Sequence, residues 1–280
     1  MHDNKQKTIL ITGCSSGIGL CVAQGLRDRG YRVFATARKL EDVEMLHQHG
    51  LDSLQLDLNQ RESIKTALTR VLKLTGGELY ALFNNGAYGQ PGAVEDLPTK
   101  LLREQFETNL FGWHELTKRV IPVMRRQGYG RIIQNSSILG FVSLPFRGAY
   151  NASKYALEGL SDTMRLELHG SGIYVSLIEP GPIESKFRAN SYKKWQQTLA
   201  GKPSVHQKTY RSQERRLSAE DTPTPFTLPP EAVLKRVIHA LESPRPKERY
   251  FVTFPTYLFA VLKRALPLRM LDAALRKVGS

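Results

Sequence analysis

Over the first 180 residues, short apolar runs alternate with segments of helical period, and this restricts the chain more than anything else in it. Residues 8–12 read TILIT, an uninterrupted buried-strand pattern. A glycine cluster follows, then a predicted helix over 18–29 and a β-branched run at 31–36. Further strands are predicted at 53–56, 79–83, 131–134 and 173–178, with long helices over 99–127 and 150–169. Strands separated by helices form βαβ units with a parallel sheet. Right-handed crossovers then make a doubly wound α/β sheet the economical topology.

After Pro180 the rhythm breaks. Residues 184–229 are polar, basic and rich in Gln, Ser and Thr, ending in a Thr-Pro repeat at 222–225. A stretch this long inside one domain is expected to be a lid over a site or to lack order. A helix at 231–241, a strand at 250–254 and an apolar-basic end at 255–280 complete the chain, which reads as one domain over 1–280 with 184–229 inserted.

Charge follows the same division. The chain carries 40 Lys and Arg against 26 Asp and Glu, a net +14. Residues 1–185 hold 21 basic and 19 acidic side chains, residues 186–280 hold 19 and 7. A basic final third invites nucleic acid or membrane as partner. It contains no zinc-finger spacing and no RNP-like aromatics, so no nucleic-acid partner is expected. Cys14 and Cys21, the two cysteines, allow no disulfide framework and read as packing residues. A reducing, cytoplasmic setting is expected, since the start MHDNKQKT lacks a signal peptide's apolar core. His47 and His49 have no third ligand nearby, and no metal is expected.

Between the first strand and helix lie Gly13, Cys14, Ser15, Ser16, Gly17, Ile18 and Gly19. Glycines there allow a tight turn and close backbone approach to a pyrophosphate, which the helix N-terminus favours. Alone, the Gly-x₃-Gly-x-Gly spacing also fits an ordinary glycine turn. The second strand ends at Thr36-Ala37-Arg38-Lys39, with no carboxylate before Glu41. An acidic residue there would take the ribose 2′-hydroxyl of NAD, whereas cations take the 2′-phosphate of NADP. Arg38 and Lys39 therefore favour NADP(H), though the same pair could begin a solvated helix.

Tyr150 and Lys154 share one helix face at i and i+4. A cation one turn from a tyrosine stabilises phenolate and fits it for proton transfer. By itself Tyr-x₃-Lys is also common surface packing. Ser137 follows the strand at 131–134, at the sheet edge where such folds bind ligands. Asn109 interrupts an apolar stripe of Leu102, Phe106, Trp113, Leu116 and Val120. A buried amide needs partners, either in a site or in a neighbouring carbonyl.

Together these residues resemble a short-chain dehydrogenase/reductase of the non-extended type, on a Rossmann fold. The resemblance covers about residues 7–255, through TGCSSGIG (12–19), Asp57, NNGA (84–87), Asn109, GRIIQNSS (130–137), YNASK (150–154) and EPGPIESKF (179–187). NNGA departs from the family's NNAG. The resemblance implies a catalytic tetrad of Asn109, Ser137, Tyr150 and Lys154, with Ser136 and Ser143 set aside because the family places its serine thirteen residues before the tyrosine. Tyr150 would pass the proton, Ser137 would hydrogen-bond the carbonyl oxygen, and Lys154 would lower the Tyr150 pKa and hold the nicotinamide ribose. Asn109 would steady a relay water, Asp57 would bond adenine, Asn85 would line the adenosine ribose, and Ile183 and Ser185 would hold the carboxamide. ATARK, YNASKYALEGLSD and SLIEPGP are similar to the branch of retinol dehydrogenases, 17β-hydroxysteroid dehydrogenases and bacterial NADP-dependent aldehyde reductases. That implies an apolar aldehyde, ketone or alcohol as substrate. It also implies a homodimer or homotetramer through helices 99–127 and 150–169.

Two other functions fit the same fold. A non-catalytic NADPH sensor or scaffold usually lacks Tyr or Lys of the pair, and both are present. An epimerase or dehydratase normally carries a longer substrate domain. The sequons at Asn135 and Asn151 are discounted because no secretion signal is seen. At the C-terminus, the uncharged 250–262 is too short to span a bilayer. The basic amphipathic end after it can lie on anionic lipid, close the substrate pocket or pack on a second subunit.

Overall fold

Seven of the apolar runs pair into one parallel sheet: β1 (Thr8–Ile11), β2 (Arg32–Ala37), β3 (Asp52–Gln55), β4 (Ala81–Asn84), β5 (Gly130–Asn135), β6 (Ile173–Glu179) and β7 (Arg249–Phe251). The structure is a computed structural model and describes residues 6–218 and 225–279. Strand order is β3-β2-β1-β4-β5-β6-β7, so the connections reverse direction between β1 and β4. Ligands of doubly wound sheets bind at that switch, outside the carboxyl ends of the strands.

Alternation along the strands feeds two cores. Ile9 and Ile11 of β1 face α1 (Gly17–Asp28) and α9 (Glu231–Glu242) through Val22, Leu26, Val233 and Val237. Leu10 faces the opposite layer, where α3 (Arg61–Leu74), α5 (Gly112–Gln127) and α6 (Gly148–Glu167) supply Ile64, Trp113, Leu116 and Leu157. The second strand is followed by α2 (Leu40–Gln48), which ends near exposed His47 and His49. The long helix expected over 99–127 is α4 (Thr99–Phe106) running into α5 through a π-helical turn, Glu107–Phe111.

Two segments differ from expectation. Residues 184–229 contain α7 (Phe187–Thr198) and α8 (Gln207–Ser218), not an irregular stretch. The Thr-Pro repeat lies outside the described residues at 222–224, as does the chain start over 1–5. The strand expected at 250–254 stops at Phe251, because Pro255 opens α10 (Phe254–Ala265), where a missing N–H costs nothing. After Pro267 the chain continues as α11 (Leu268–Gly279). Among the described residues no helix is long and apolar enough to cross a membrane.

Candidate active site

The turns after β1 to β6, at the carboxyl edge of the sheet, carry most of the expected site residues, while Asn109 lies in the π-helical turn and Tyr150 and Lys154 on α6. Gly13 has φ +70° and Gly17 φ +56°, both in the left-handed region. A Cβ on Gly13 would stand 2.4 Å from Gly86 Cα, and one on Gly19 2.2 Å from the Gly13 carbonyl oxygen. Ser16 heads α1 in extended backbone with no side-chain cap, and no acid lies in the first turn. The first N–H groups of α1 are thus left for an anion, and the cradle fits a dinucleotide pyrophosphate. Ser185 stands over this loop, its Cβ 3.0 Å from where a Gly17 Cβ would be. Ile183 bridges to Leu228, so the far end of the inserted segment returns to the loop after β6.

The NNGA order has a reason in this chain. Gly86 lies back to back with Gly13, and its N–H donates to Thr12 Oγ1 at 3.0 Å. The Asn85 side chain is committed to bracing the loop, not aimed outward. Its amide donates to the carbonyls of Thr12 and Gly13, each at 3.0 Å, and its Oδ1 accepts from Asn135 at 2.8 Å. Asp57 accepts the Asn59 N–H through one carboxylate oxygen at 2.9 Å. At the end of β2 the two cations separate. Lys39 pairs with Glu41 at 3.0 Å, whereas Arg38 is exposed and has no salt bridge among the described residues.

The Ser137 hydroxyl, which accepts the Leu139 N–H at 3.1 Å, lies near enough to the Tyr150 phenol to favour its ionised form. Burial pushes the Tyr150 phenol up to about 12, against the pull of Ser137 and of the Arg147 charge. Lys154 is buried and donates to the Asn135 carbonyl at 2.6 Å. Its Nζ sits 4.4 Å from the Trp113 ring centre and 5.7 Å from that of Tyr150. Burial pulls the ammonium down to about 7, opposed by the negative charge of Glu158. The expected lowering of the Tyr150 pKa by Lys154 is not met: burial raises it on balance, only Ser137 and Arg147 oppose, and Lys154 is itself pulled down to about 7.

Asn109 belongs to the π-helical turn, a distortion frequent at functional sites. Its Oδ1 accepts the Tyr88 N–H at 3.2 Å, and its Nδ2 donates to the Tyr88 carbonyl at 2.9 Å and to Ser153 Oγ at 3.3 Å. Of the competing serines, Ser136 donates to Glu158, and Ser143 is exposed on the loop beyond. Among the cysteines, burial pushes Cys14 up to about 12, and burial with the charge of Glu231 takes Cys21 to about 11. Neither is a thiolate at neutral pH. Asn135 and Asn151 of the sequons are buried.

Sequence reasoning missed three features. Phe187, the first residue of α7, meets the Tyr150 ring edge-on at 5.3 Å. Ile138, Phe141, Leu262 and Leu266 gather with Tyr150 around a small core of Leu139, Val142 and Phe259. Behind Lys154, Arg249 holds three carboxylates: Glu158 and Glu179 (2.6 Å) on one nitrogen, Asp162 (2.6 Å) on the other. The spacing Tyr150, Lys154, Glu158 is itself an i+4 row that could have pointed to this node.

Burial, and next to it repulsion from Glu158, pushes the Glu179 carboxyl up to about 8, while Arg249 opposes. Its Oε2 has no hydrogen-bond partner among the described residues. A carboxyl raised in the fold stabilises fully below its unfolded pKa, and that gain is lost as pH rises through the folded value. Glu179→Gln, which mimics the protonated form, should therefore gain Tm relative to the unsubstituted protein between about pH 4.5 and 8. Thermal melts across this window test it. A Tm difference independent of pH would contradict the assignment.

The comparisons agree with this fold. The family model for short chain dehydrogenases matches residues 7–196. An uncharacterized oxidoreductase of Escherichia coli K12, YbbO, is 44% identical over 271 residues, 97% of this chain and 94% of that protein. An NADPH-dependent 3-dehydrocapnine reductase of Ornithobacterium rhinotracheale is 30% identical over 94% of both chains. In structure, a short-chain dehydrogenase from Streptomyces avermitilis superposes with a TM-score of 0.76 at 26% identity, covering 95% of this chain and 94% of the other. With the family model matched over more than half its length and a relative at 44% identity along nearly all of it, the chain belongs to the short-chain dehydrogenase family and is an oxidoreductase of that family.

Proposed function

We propose that the protein is an NADP(H)-dependent oxidoreductase that interconverts an apolar aldehyde or ketone and its alcohol. The observation that carries the reading is the convergence of the Tyr150 and Ser137 hydroxyls and the Lys154 ammonium beside a glycine cradle. Gly13, Ser15, Ser16, Gly17, Ile18 and Gly19 hold the pyrophosphate, Arg38 the 2′-phosphate, and Asp57 the adenine; Lys39 is a weaker candidate because Glu41 already occupies it. Ile183 and Ser185 flank the nicotinamide side. When bound, NADPH supplies the hydride.

The chain's own groups manage the proton and the developing charge. Tyr150, protonated at neutral pH, donates to the carbonyl oxygen during reduction. Ser137 hydrogen-bonds that oxygen and stabilises its charge. Lys154 holds the nicotinamide ribose, and Asn109 steadies the turn from which a water can replenish the proton. The apolar residues around Tyr150 support an apolar substrate. Phe187 against Tyr150 supports 184–229 as its lid. The reductant in the Ornithobacterium relative's name supports NADPH. The exposed Phe111, Tyr155 and Leu166 on the π turn and α6 are the proposed surface for a second copy of the chain.

The reading is tested by following NADPH oxidation with long-chain ketones, retinal, ketosteroids and short aldehydes. Turnover with apolar members is expected, and none across the panel would overturn it. Arg38→Ala should raise the KM for NADPH about 10–100-fold, as loss of a charge-assisted bond would, and leave that for NADH nearly unchanged. Equal effects on both cofactors would remove Arg38 from the 2′-phosphate.

A further inference from the structure

The two C-terminal helices have an inner face that belongs to the surroundings of Tyr150 and an outer face that is exposed among the described residues. On α10, Phe254, Tyr257, Leu258 and Val261 recur at i, i+3, i+4 and i+7 and are all exposed, Phe254 by 58% and Val261 by 63%. Phe259, on the other side, is buried with Leu139 and Val142 of the loop after Ser137. Exposed Phe226 lies against Phe254 with ring centres 5.1 Å apart. An open hollow of about 350 Å³ between Phe251, Tyr257, Val261 and Arg264 lies beside this stripe. Past Pro267, Leu268 and Met270 are exposed as well.

Charge indicates what covers this face. Residues 254–278 carry Lys263, Arg264, Arg269, Arg276 and Lys277 against one acid, Asp272. Two copies brought together on such a face by a twofold axis would set like charges around an apolar contact. An anionic phospholipid surface offers opposite charge outside and an apolar layer just beneath. Each helix has twelve residues, about 18 Å, against a hydrocarbon thickness of about 30 Å. Helices of that length lie in the interface plane.

We infer that α10 and α11 dock the protein on an anionic phospholipid surface, the stripe at 254–261 entering the acyl boundary and Arg264 and Arg269 lying among the headgroups. The inference rests on the apolar substrate proposed above and gives it a source. A carbonyl compound dissolved in the membrane reaches Tyr150 past the inner side of the same helices, without crossing water.

The test is sedimentation of the full chain with vesicles of phosphatidylcholine alone or with added phosphatidylglycerol, at low and high salt. The protein is expected to pellet with the anionic vesicles, to stay in solution with the neutral ones, and to be released by salt. Val261→Asp, and separately Arg264→Glu with Arg269→Glu, should each cut the partition coefficient about tenfold or more. NADPH oxidation with a water-soluble aldehyde and no vesicles should be unchanged in these variants, since none of the three residues touches the site. Vesicle binding without turnover on any carbonyl compound would sink the proposed reaction and leave the docking intact. Turnover with no binding, or equal binding to neutral and anionic vesicles, would overturn the docking alone. So would a lipid-free oligomer that Val261→Asp dissociates and that does not pellet with vesicles, for the face would then join copies of the chain.

Discussion

Tyr150→Phe is expected to lower kcat for NADPH-driven carbonyl reduction by about 10²–10⁴-fold, the range that general acid catalysis supplies. The substitution removes one hydroxyl and keeps the ring, so the edge-on contact with Phe187 and the packing beside Leu139 remain. Binding of NADPH, measured by fluorescence titration, should change little because the glycine cradle and Arg38 are untouched. The phenol's raised pKa, about 12, adds a direction. Reduction uses the protonated form that dominates at neutral pH, whereas alcohol oxidation needs the phenolate and should speed up as pH rises. Unchanged turnover in Tyr150→Phe would sink the mechanism. Loss of NADPH binding in step with turnover would instead make Tyr150 a structural residue.

Arg249→Met should cost about 3 kcal/mol of stability, the lower end for breaking a buried ion pair because Arg249 is one-third exposed. For a domain of this size that is a fall in Tm of roughly 6–12 °C. Glu158 is nearly inaccessible and would be left as an uncompensated charge, while Glu179, already raised to about 8, would be pushed further toward its protonated form. Adding Glu179→Gln to Arg249→Met should recover part of the loss, since the fold then no longer has to hold a carboxyl protonated above its unfolded pKa. A melt of Arg249→Met within about 1 °C of the unsubstituted protein would show that the node contributes nothing measurable. The damage should reach the site too, because the node joins Ser136, next to Ser137, to the helix that carries Tyr150 and Lys154.

The β-branched runs, the glycine cradle and the Tyr-Lys row were legible because each follows a period or spacing that local physics imposes. The helix α7 was not. Its buried positions are Ser191 and Trp195, so a polar residue stands where the 3.6-residue pattern calls for an apolar one. Asn109 stood out as polar within an apolar stripe, yet the extra residue of the π turn that holds it leaves no mark on the sequence. The resemblance places Asn85 at the adenosine ribose. Its side chain proved to brace the loop, a distinction that depends on where Thr12, Gly13 and Asn135 lie in space. The Arg249 node joins residues up to 91 positions apart, beyond the reach of any local pattern.

The row Tyr150, Lys154, Glu158, Asp162 on α6 limits how the cleft of this protein can be reshaped. Each four-residue step along an α-helix turns about 40° past the last. Over three steps the row therefore swings from the cleft at Tyr150 to the Arg249 side at Asp162. One rigid rod thus presents the reacting groups at one end and a stabilising anchor at the other. A rotation of α6 that reshaped the cleft would pull Glu158 and Asp162 off Arg249 at the same moment. New substrate ranges are therefore open to evolution, or to a laboratory library, mainly through the parts free of that anchor: the loop after Ser137, α7 and α10.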